Sequence, residues 1–566
     1  MEYLRGADRE QREVLPPSLD EVVAENNPVR VIDAFVEGLT ASEIGFKREA
    51  PAWTGRRGYD PKDLLKLYIY GYLNRVRSSR RLMRECVRNI EVMWLIHRLT
   101  PDFRTIADFR KDNRLAIRSA FRAFVKVLDE MKLFRKELFA VDGTKIRANN
   151  SIKKSFTPEL LEKKLAYLAQ QERQLEAYLR GMDEADARES TLQLDIPKGK
   201  APEKLKEVQA RAAKYRGYQA RMKETGETQI LETDPEYRTL HSKDGLHPAY
   251  NVQTAVDGGS HLIAEFLVTT ANTDQNLLSE VAQQTKQAMG LDHIHVVADK
   301  GYESREDIEK CLLNGVAPDV GFKYDKEERV FTLEHVPMEI PEEKRASPKP
   351  EAILDCLRSG VLPRCYEGTN IQLETQYRGA VSCFIRHEDG TVTCPMGRQL
   401  FKHADKKYGT VYGSREACRT CPNRCTDSKN AKTVSIGYNS TYVPVIMYGD
   451  PQYPLQQLPD VAQDSPYNHF GKWKHAQSKV KLTIRRDIHK QQLRKELSEH
   501  PFGTVKWADG AHYFLCRGKE KVTAEIALSF LAYDFRRAIQ LTTPNPGDVS
   551  GILLYLRVKN QAKQGG

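Results

Sequence analysis

HIHVVADKGY, residues 293–302, decides the fold class. Ile294, Val296 and Val297 form a short β-branched run that ends in a carboxylate, Asp299, ahead of Gly301 and the helix-like SREDIEKCL, residues 304–312. So short an apolar run predicts a buried strand, and a strand feeding a helix is the unit of an α/β sheet, whose ligands gather outside the carboxyl ends of the strands. ELFAVDGTKIRA, residues 137–148, has the same form: Asp142 interrupts an apolar run, and Gly143 allows another group to approach closely. YNVQTAVDGG (250–259), HLIAEFLVTT (261–270) and the helix-like NLLSEVAQQTKQAM (276–289) complete a set of strands with an interposed helix, which predicts an α/β domain. Taken singly, either aspartate reads more readily as the cap of a turn.

Outward from these strands, residues 136–330 form the first part of the core. It is interrupted at 156–226 by two charged segments with heptad-like spacing: Leu161, Leu165, Leu168, Leu175 and Leu179 in one, Leu205, Val208, Ala212, Tyr215 and Met222 in the other. An inserted helical hairpin is the simple reading. Residues 1–135 read as a helical domain, with amphipathic stretches at 60–73 and 114–131 and with Asp60-Pro61 as cap and first position of a helix. Within it, RVRSSRRLMRECVR (75–88) is the densest basic stretch in the chain. Residues 331–480 read as a second insertion of short strand-like pieces bearing cysteines. Residues 481–566 return to helical periodicity, with Val522, Ile526, Phe530 and Tyr533 along one face of KEKVTAEIALSFLAYDFRRAIQL (519–541).

The 566 residues suggest three to four folded units; 40% hydrophobic and 29% charged residues exclude wholesale disorder and collagen-like chains. The net charge of +11 favours a polyanionic partner, nucleic acid first. No run of 18 apolar residues occurs, and the opening MEYLRGADREQREV is too charged for a signal peptide, so the expectation is a cytoplasmic protein with no membrane partner.

A third acidic position comes from LRKELSEHPFGTVK (493–506), where Arg494, Glu499 and Lys506 lie close together before RGKEKVTAE (517–525). The ordered set VDGTK, YNVQTAVD, ADKGY and R-x4-E-H-P-F-G-T-x-K, with the helix that follows, closely resembles the DDE transposases of bacterial insertion sequences. More narrowly it is similar to the group numbered eleven-eighty-two, over roughly Tyr59 to Ile539. The resemblance implies a ribonuclease H-like catalytic core whose three acids are Asp142, Asp299 and Glu499, with Glu496 as the rival for the third place. Three carboxylates suit two Mg²⁺ or Mn²⁺ ions about 3.5–4 Å apart that activate an attacking oxygen and stabilise the leaving one in phosphodiester displacement. Family members accompany the third acid with a Tyr, an Arg and a Lys. Arg494 and Lys506 match and suit phosphate positioning, whereas Gln491 stands where the Tyr is expected. Pro501, two residues after Glu499, should weaken a continuous helix there.

The implied function is cleavage of DNA at the element's terminal inverted repeats and transfer to target DNA, by an oligomer that is nucleoid-associated when bound. Arg77, Arg80, Arg81 and Arg84 are the candidate DNA contacts in the N-terminal domain. A DNA-binding derivative without cleavage and a metal-dependent nuclease without strand joining fit the same residues. Cys394, Cys418, Cys421 and Cys425 are spaced C-x23-C-x2-C-x3-C. They read as a structural Zn²⁺ site, with unliganded thiols and an iron–sulfur cluster as the alternatives.

Overall fold

A computed structural model describes residues 17–564, apart from 48–57, 150–154, 186–199, 227–228, 232–237, 243–244, 323–326, 337, 377, 422–424, 427, 429, 449–478, 544 and 546. The chain forms two compact units. The first draws on Met1–Arg135, Asp142–Asp274 and Leu497–Gly566, the second on Lys136–Val141 and Gln275–Glu496.

Among its described residues the first unit is largely helical in both its N-terminal and its C-terminal stretch. Asp60 accepts the Lys62 N–H at 2.8 Å and Pro61 takes the first position of helix Pro61–Leu73, as the sequence predicts. Helix Arg114–Glu130 buries Ile117, Phe121, Phe124 and Leu128. Helix Lys519–Thr542 departs from the expected single apolar face, because its residues from Ala524 to Phe535 are all buried. Phe535 stacks on Phe124 with ring centroids 4.0 Å apart. An apolar stripe alone does not show that neighbours also cover the remaining faces.

Helices Pro158–Ala185 and Ala201–Thr225 form the expected pair. Leu168, Leu175, Val208 and Ala212 make one buried cluster of the pair, and Leu161 and Met222 pack with Phe156 and Ile230 in another. The link predicted between the helices lies outside the described residues. Strand Gly245–Asp257 pairs antiparallel with Arg238–Ser242 through Gly245 to Ala249 and with Ile263–Thr269 through Asn251 to Val256.

The second unit opens with a parallel arrangement: Phe139, Ala140 and Val141 pair with Val296, Val297 and Ala298, and strand Ile294–Ala298 pairs with Val316–Val320. Helices Arg305–Leu313 and Pro350–Ser359 contribute Ile308, Leu312, Ile353 and Leu357 to its core, against Phe331, Ile371, Leu482 and Ile484 of a three-stranded antiparallel sheet.

The cysteine-bearing stretch is more ordered than the sequence suggests. It is a six-stranded sheet in the order Thr433–Gly437, Gly409–Gly413, Gln399–Lys406, Val392–Thr393, Arg378–Arg386, Tyr442–Tyr448. Its core is Phe384, Val392, Leu400, Tyr412, Val434 and Ile436. Each strand supplies at most two of these side chains, so no local window carries a strong apolar pattern.

Helix Ile488–Gly503 also differs from expectation. It runs through Pro501 and then widens into a π-helical turn at Thr504–Ala508. Proline costs the helix the single N–H it lacks, and the turn count is readjusted just beyond it. Among the described residues no helix is long and apolar enough to cross a membrane.

Candidate active site

Asp299 follows directly on Ala298, the last residue of its strand, in an extended conformation. Its carboxylate accepts the Gly301 N–H at 2.7 Å and caps the short turn Lys300–Tyr302. The carboxylate is thus both at the carboxyl end of a parallel strand and a turn cap. Its neighbours in the second unit are fixed by a residue remote in sequence: the Gln491 amide donates to Ala298 O at 3.2 Å, to Asp319 O at 3.0 Å and to Asp319 Oδ1 at 2.9 Å. Asp319 Oδ2 accepts the Asp487 N–H at 3.1 Å. Gln491 and Asp319 are buried, and burial pushes the Asp319 carboxyl up to about 6, against the pull of its hydrogen bonds. Gln491, the departure from the expected Tyr, therefore ties the start of its helix to the strand end that carries Asp299. Arg494, one turn on, is half-buried, and Glu496 is exposed.

In the first unit Asp142 is half-buried and accepts the N–H of Gly143 at 2.8 Å. A Cβ at Gly143 would lie 2.2 Å from Gln253 Nε2 and 2.8 Å from Asp274 Oδ1, which is the close approach the glycine predicts. Asn251 and Gln253, both wholly buried, each donate to Asp274 Oδ1 at 2.8 Å. Glu499 is exposed, and Lys506 is half-buried on the π-helical turn. Beside Glu499, His500 Nδ1 lies 2.9 Å from the Tyr533 hydroxyl, which itself donates to His261 O at 3.0 Å. The imidazole must then be the donor to Tyr533, and burial lowers its pKa.

Asp142 and Glu499 thus belong to the first unit and Asp299 to the second. Among the described residues no group of three or more His, Cys, Asp or Glu stands arranged to hold a metal ion. As a donor set, three carboxylates suit a hard divalent cation.

The arginine stretch divides by environment. Helix Ser79–Arg88 buries Leu82, Glu85 and Cys86 and exposes Arg80, Arg81 and Arg84, with Arg80 4.8 Å from the centroid of the Phe103 ring. Arg77, just before the helix, is buried instead. Its guanidinium pairs with the buried Glu525 at 2.7 Å and donates to Gly510 O and, at 2.6 Å, to Tyr513 O.

All four cysteines of the second insertion line one small cavity with Phe384, Met396 and Leu400. Burial raises the Cys394 and Cys425 thiols, and the neighbouring Cys418 and Cys421 add to the effect. The Arg398 N–H donates to Cys394 Sγ at 3.3 Å. Four thiols line one cavity, and thiolates are ligands that Zn²⁺ accepts, but as they stand they are not arranged around an ion position.

Sequence reasoning missed Asn251, Gln253, Asp274 and Asp319. Asn251 and Gln253 do carry a signal, since two amides at alternate positions of an apolar strand share one face. Asp319 carries a similar one as the lone charge in the run GVAPDVGF.

Residues 17–112 match the family model described as "Transposase domain (DUF772)", and residues 216–349 match "Transposase DDE domain". The second match includes Asp299; Asp142 and Glu499 lie outside it. Two separate stretches of the chain are therefore similar to transposase domains. No curated protein matches the chain. Among solved structures, a piggyBac transposase synaptic complex with hairpin DNA aligns over 95% of this chain and 80% of that one, at 8% identity and a TM-score of 0.29. A score that low carries no argument about fold or function.

Proposed function

We propose that the chain is an insertion-sequence DNA transposase that binds the ends of its element, cuts them and joins them to target DNA. The two transposase-domain matches, in order along the chain, carry this reading. Its finer resemblance to the group numbered eleven-eighty-two rests on the sequence motifs. Asp142, Asp299 and Glu499 are the proposed acids; they would hold Mg²⁺ or Mn²⁺, which supplies activation of the attacking oxygen and charge relief at the leaving one. A ribonuclease H-like core is the fold proposed for this arrangement. Arg80, Arg81 and Arg84 are proposed to contact phosphates of the duplex, Arg494 and Lys506 those near the acids, and the cysteines to hold a structural Zn²⁺. The protein is proposed to act in the cytoplasm, on the nucleoid, as an oligomer that holds two element ends.

The test is cleavage of labelled duplexes carrying the inverted repeats that flank the coding region. Wild type should cut in Mg²⁺ or Mn²⁺ and cut little in Ca²⁺, whose looser coordination misplaces the attacking oxygen. Asp142→Asn, Asp299→Asn and Glu499→Gln should bind the ends and leave them intact, while Glu496→Gln cuts. Normal cutting by Glu499→Gln with a dead Glu496→Gln reassigns the third acid; wild-type cutting by all four variants rejects the mechanism. Cleaved ends that are never joined to a target would make the protein a nuclease.

A further inference from the structure

Trp507 is 75% exposed and Tyr513 44%, and His512 beside it is exposed as well. Tryptophan seldom stands so far into solvent unless something covers it in use. The three rings are grouped. Trp507 and His512 lie within 17° of parallel with centroids 6.3 Å apart, and His512 meets Tyr513 edge-on at 4.9 Å.

The segment beneath them is fixed from several sides. The buried pair Arg77–Glu525 is its anchor: Arg77 donates to Gly510 O and Tyr513 O, while Glu525 accepts the N–H groups of Leu515 at 2.9 Å and Cys516 at 2.8 Å. The Arg147 N–H donates to His512 O at 3.2 Å, the Phe514 N–H to Arg147 O at 2.8 Å, and Asn149 Nδ2 to Leu515 O at 2.7 Å. Gly510, at φ +69°, makes the turn that brings His512 back towards Trp507, a conformation that L side chains resist. Trp507 itself sits on the π-helical turn, an irregularity that recurs at functional sites. Solvent-facing rings on so firmly held a backbone are preorganised for a flat ligand.

The surroundings are cationic. Lys506 precedes the tryptophan, and Arg147 and Arg517 are exposed, with the Arg517 guanidinium on Asn149 O at 3.3 Å. Arg75, 67% exposed, lies 4.0 Å from Asp509 at the end of the π-helical turn. Of the carboxylates along this segment, Glu525 and Asp509 are buried and paired with Arg77 and Arg536, and the exposed Glu520 pairs with Arg114.

We propose that Trp507, His512 and Tyr513 form a stacking platform for unpaired bases of a DNA strand, whose phosphates meet Lys506, Arg147 and Arg517. Every base has a π-face, and in a duplex those faces are already stacked, so the platform favours single-stranded or unpaired positions. The surrounding positive charge selects a polyanion over an apolar protein surface. This inference rests on the reading of the chain as a DNA-processing protein.

The test is fluorescence anisotropy of the full chain in EDTA with three labelled probes: a 20-nucleotide oligothymidylate, the same backbone with abasic sites, and a 20-base-pair duplex. Wild type should bind the oligothymidylate more tightly than the abasic strand. Trp507→Ala should weaken oligothymidylate binding roughly tenfold, in line with the loss of one base–aromatic stack, and leave duplex binding unchanged. Trp507→Phe should retain most of the affinity. Equal binding of abasic and thymidylate strands by wild type, unchanged oligothymidylate binding by Trp507→Ala, or equal losses on duplex and single strand would each overturn the platform. EDTA separates the outcomes: a chain that never cleaves in Mg²⁺ but binds oligothymidylate through Trp507 keeps the platform and loses the transposase reading. A chain that cleaves but ignores Trp507 does the reverse.

Discussion

At Gly143 one hydrogen stands where any other residue would put a carbon 2.2 Å from Gln253 Nε2. The amide cannot retreat easily, because Gln253 Nε2 also serves Asn251 Oδ1 at 3.0 Å and Asp274 Oδ1 at 2.8 Å. The glycine beside Asp142 is thus required by a buried polar cluster on the neighbouring strand, as a full set of satisfied amides would demand. Asp319 is the second residue whose environment has a measurable consequence. Its carboxyl, buried against Gln491 and with Asp487 and Lys490 nearby, is raised from 3.8 to about 6. A carboxyl that binds its proton more tightly when folded gives stability that is present below pH about 4 and lost as pH rises through about 6. The loss should approach about 2–3 kcal/mol, and Asp319→Asn, which cannot titrate, should not show it. Urea denaturation of both proteins at pH 4.5 and 7.5 measures this; parallel pH curves would mean the carboxyl is not perturbed.

Elements show what was legible in the sequence. The Asp60-Pro61 cap and the leucines of the inserted hairpin were readable because their physics is local: an N–H two residues away, and neighbours at three-to-four spacing. The partners of Gln491 were not, since Asp319 is 172 residues distant and Ala298 is 193. Nothing within the helix distinguishes an amide that ties down a strand end from one in solvent. For the same reason Arg77 read as one more member of a basic stretch, although its partner Glu525 is 448 residues away. The three acids come from motif order, and only the position directly before HPFGTVK singles out Glu499 from Glu496. In the cysteine-bearing sheet the spacing of the thiols was visible and the six-residue core was not. That core is small, so a metal should contribute much of the sheet's stability. Elemental analysis should give one zinc per chain, lost in Cys418→Ser, and chelation should open residues 380–430 to protease. Undiminished zinc in Cys418→Ser, or a metal-free wild type that resists proteolysis there, would rule out the four-thiol site.

At the scale of the whole molecule the charge of +11 bears on the proposed DNA contacts, and the arginines of 75–88 are unequally placed to make them. Arg80, Arg81 and Arg84 share the solvent face of one helix, where pairing with a phosphate releases counterions and costs little desolvation. Arg77 is inside, paired with a carboxylate that is 1% exposed. Replacing the three exposed arginines together with Ala should weaken duplex binding at every salt concentration. It should also flatten the plot of log affinity against log salt by roughly 2–3 units of slope, about 0.9 for each phosphate that is no longer neutralised. Their effect on folding stability should be small. Arg77→Ala should act in the opposite way, leaving Glu525 as an uncompensated buried charge at a cost of about 3–5 kcal/mol. At salt and temperature where this variant remains folded, its duplex-binding slope should match that of wild type. Gel-shift titrations from 50 to 300 mM salt, paired with denaturant melts, separate the two. A triple variant that keeps the wild-type slope would move the duplex site off this helix, and an Arg77→Ala protein of wild-type stability would mean that the Arg77–Glu525 pair does not fasten the segment carrying Tyr513.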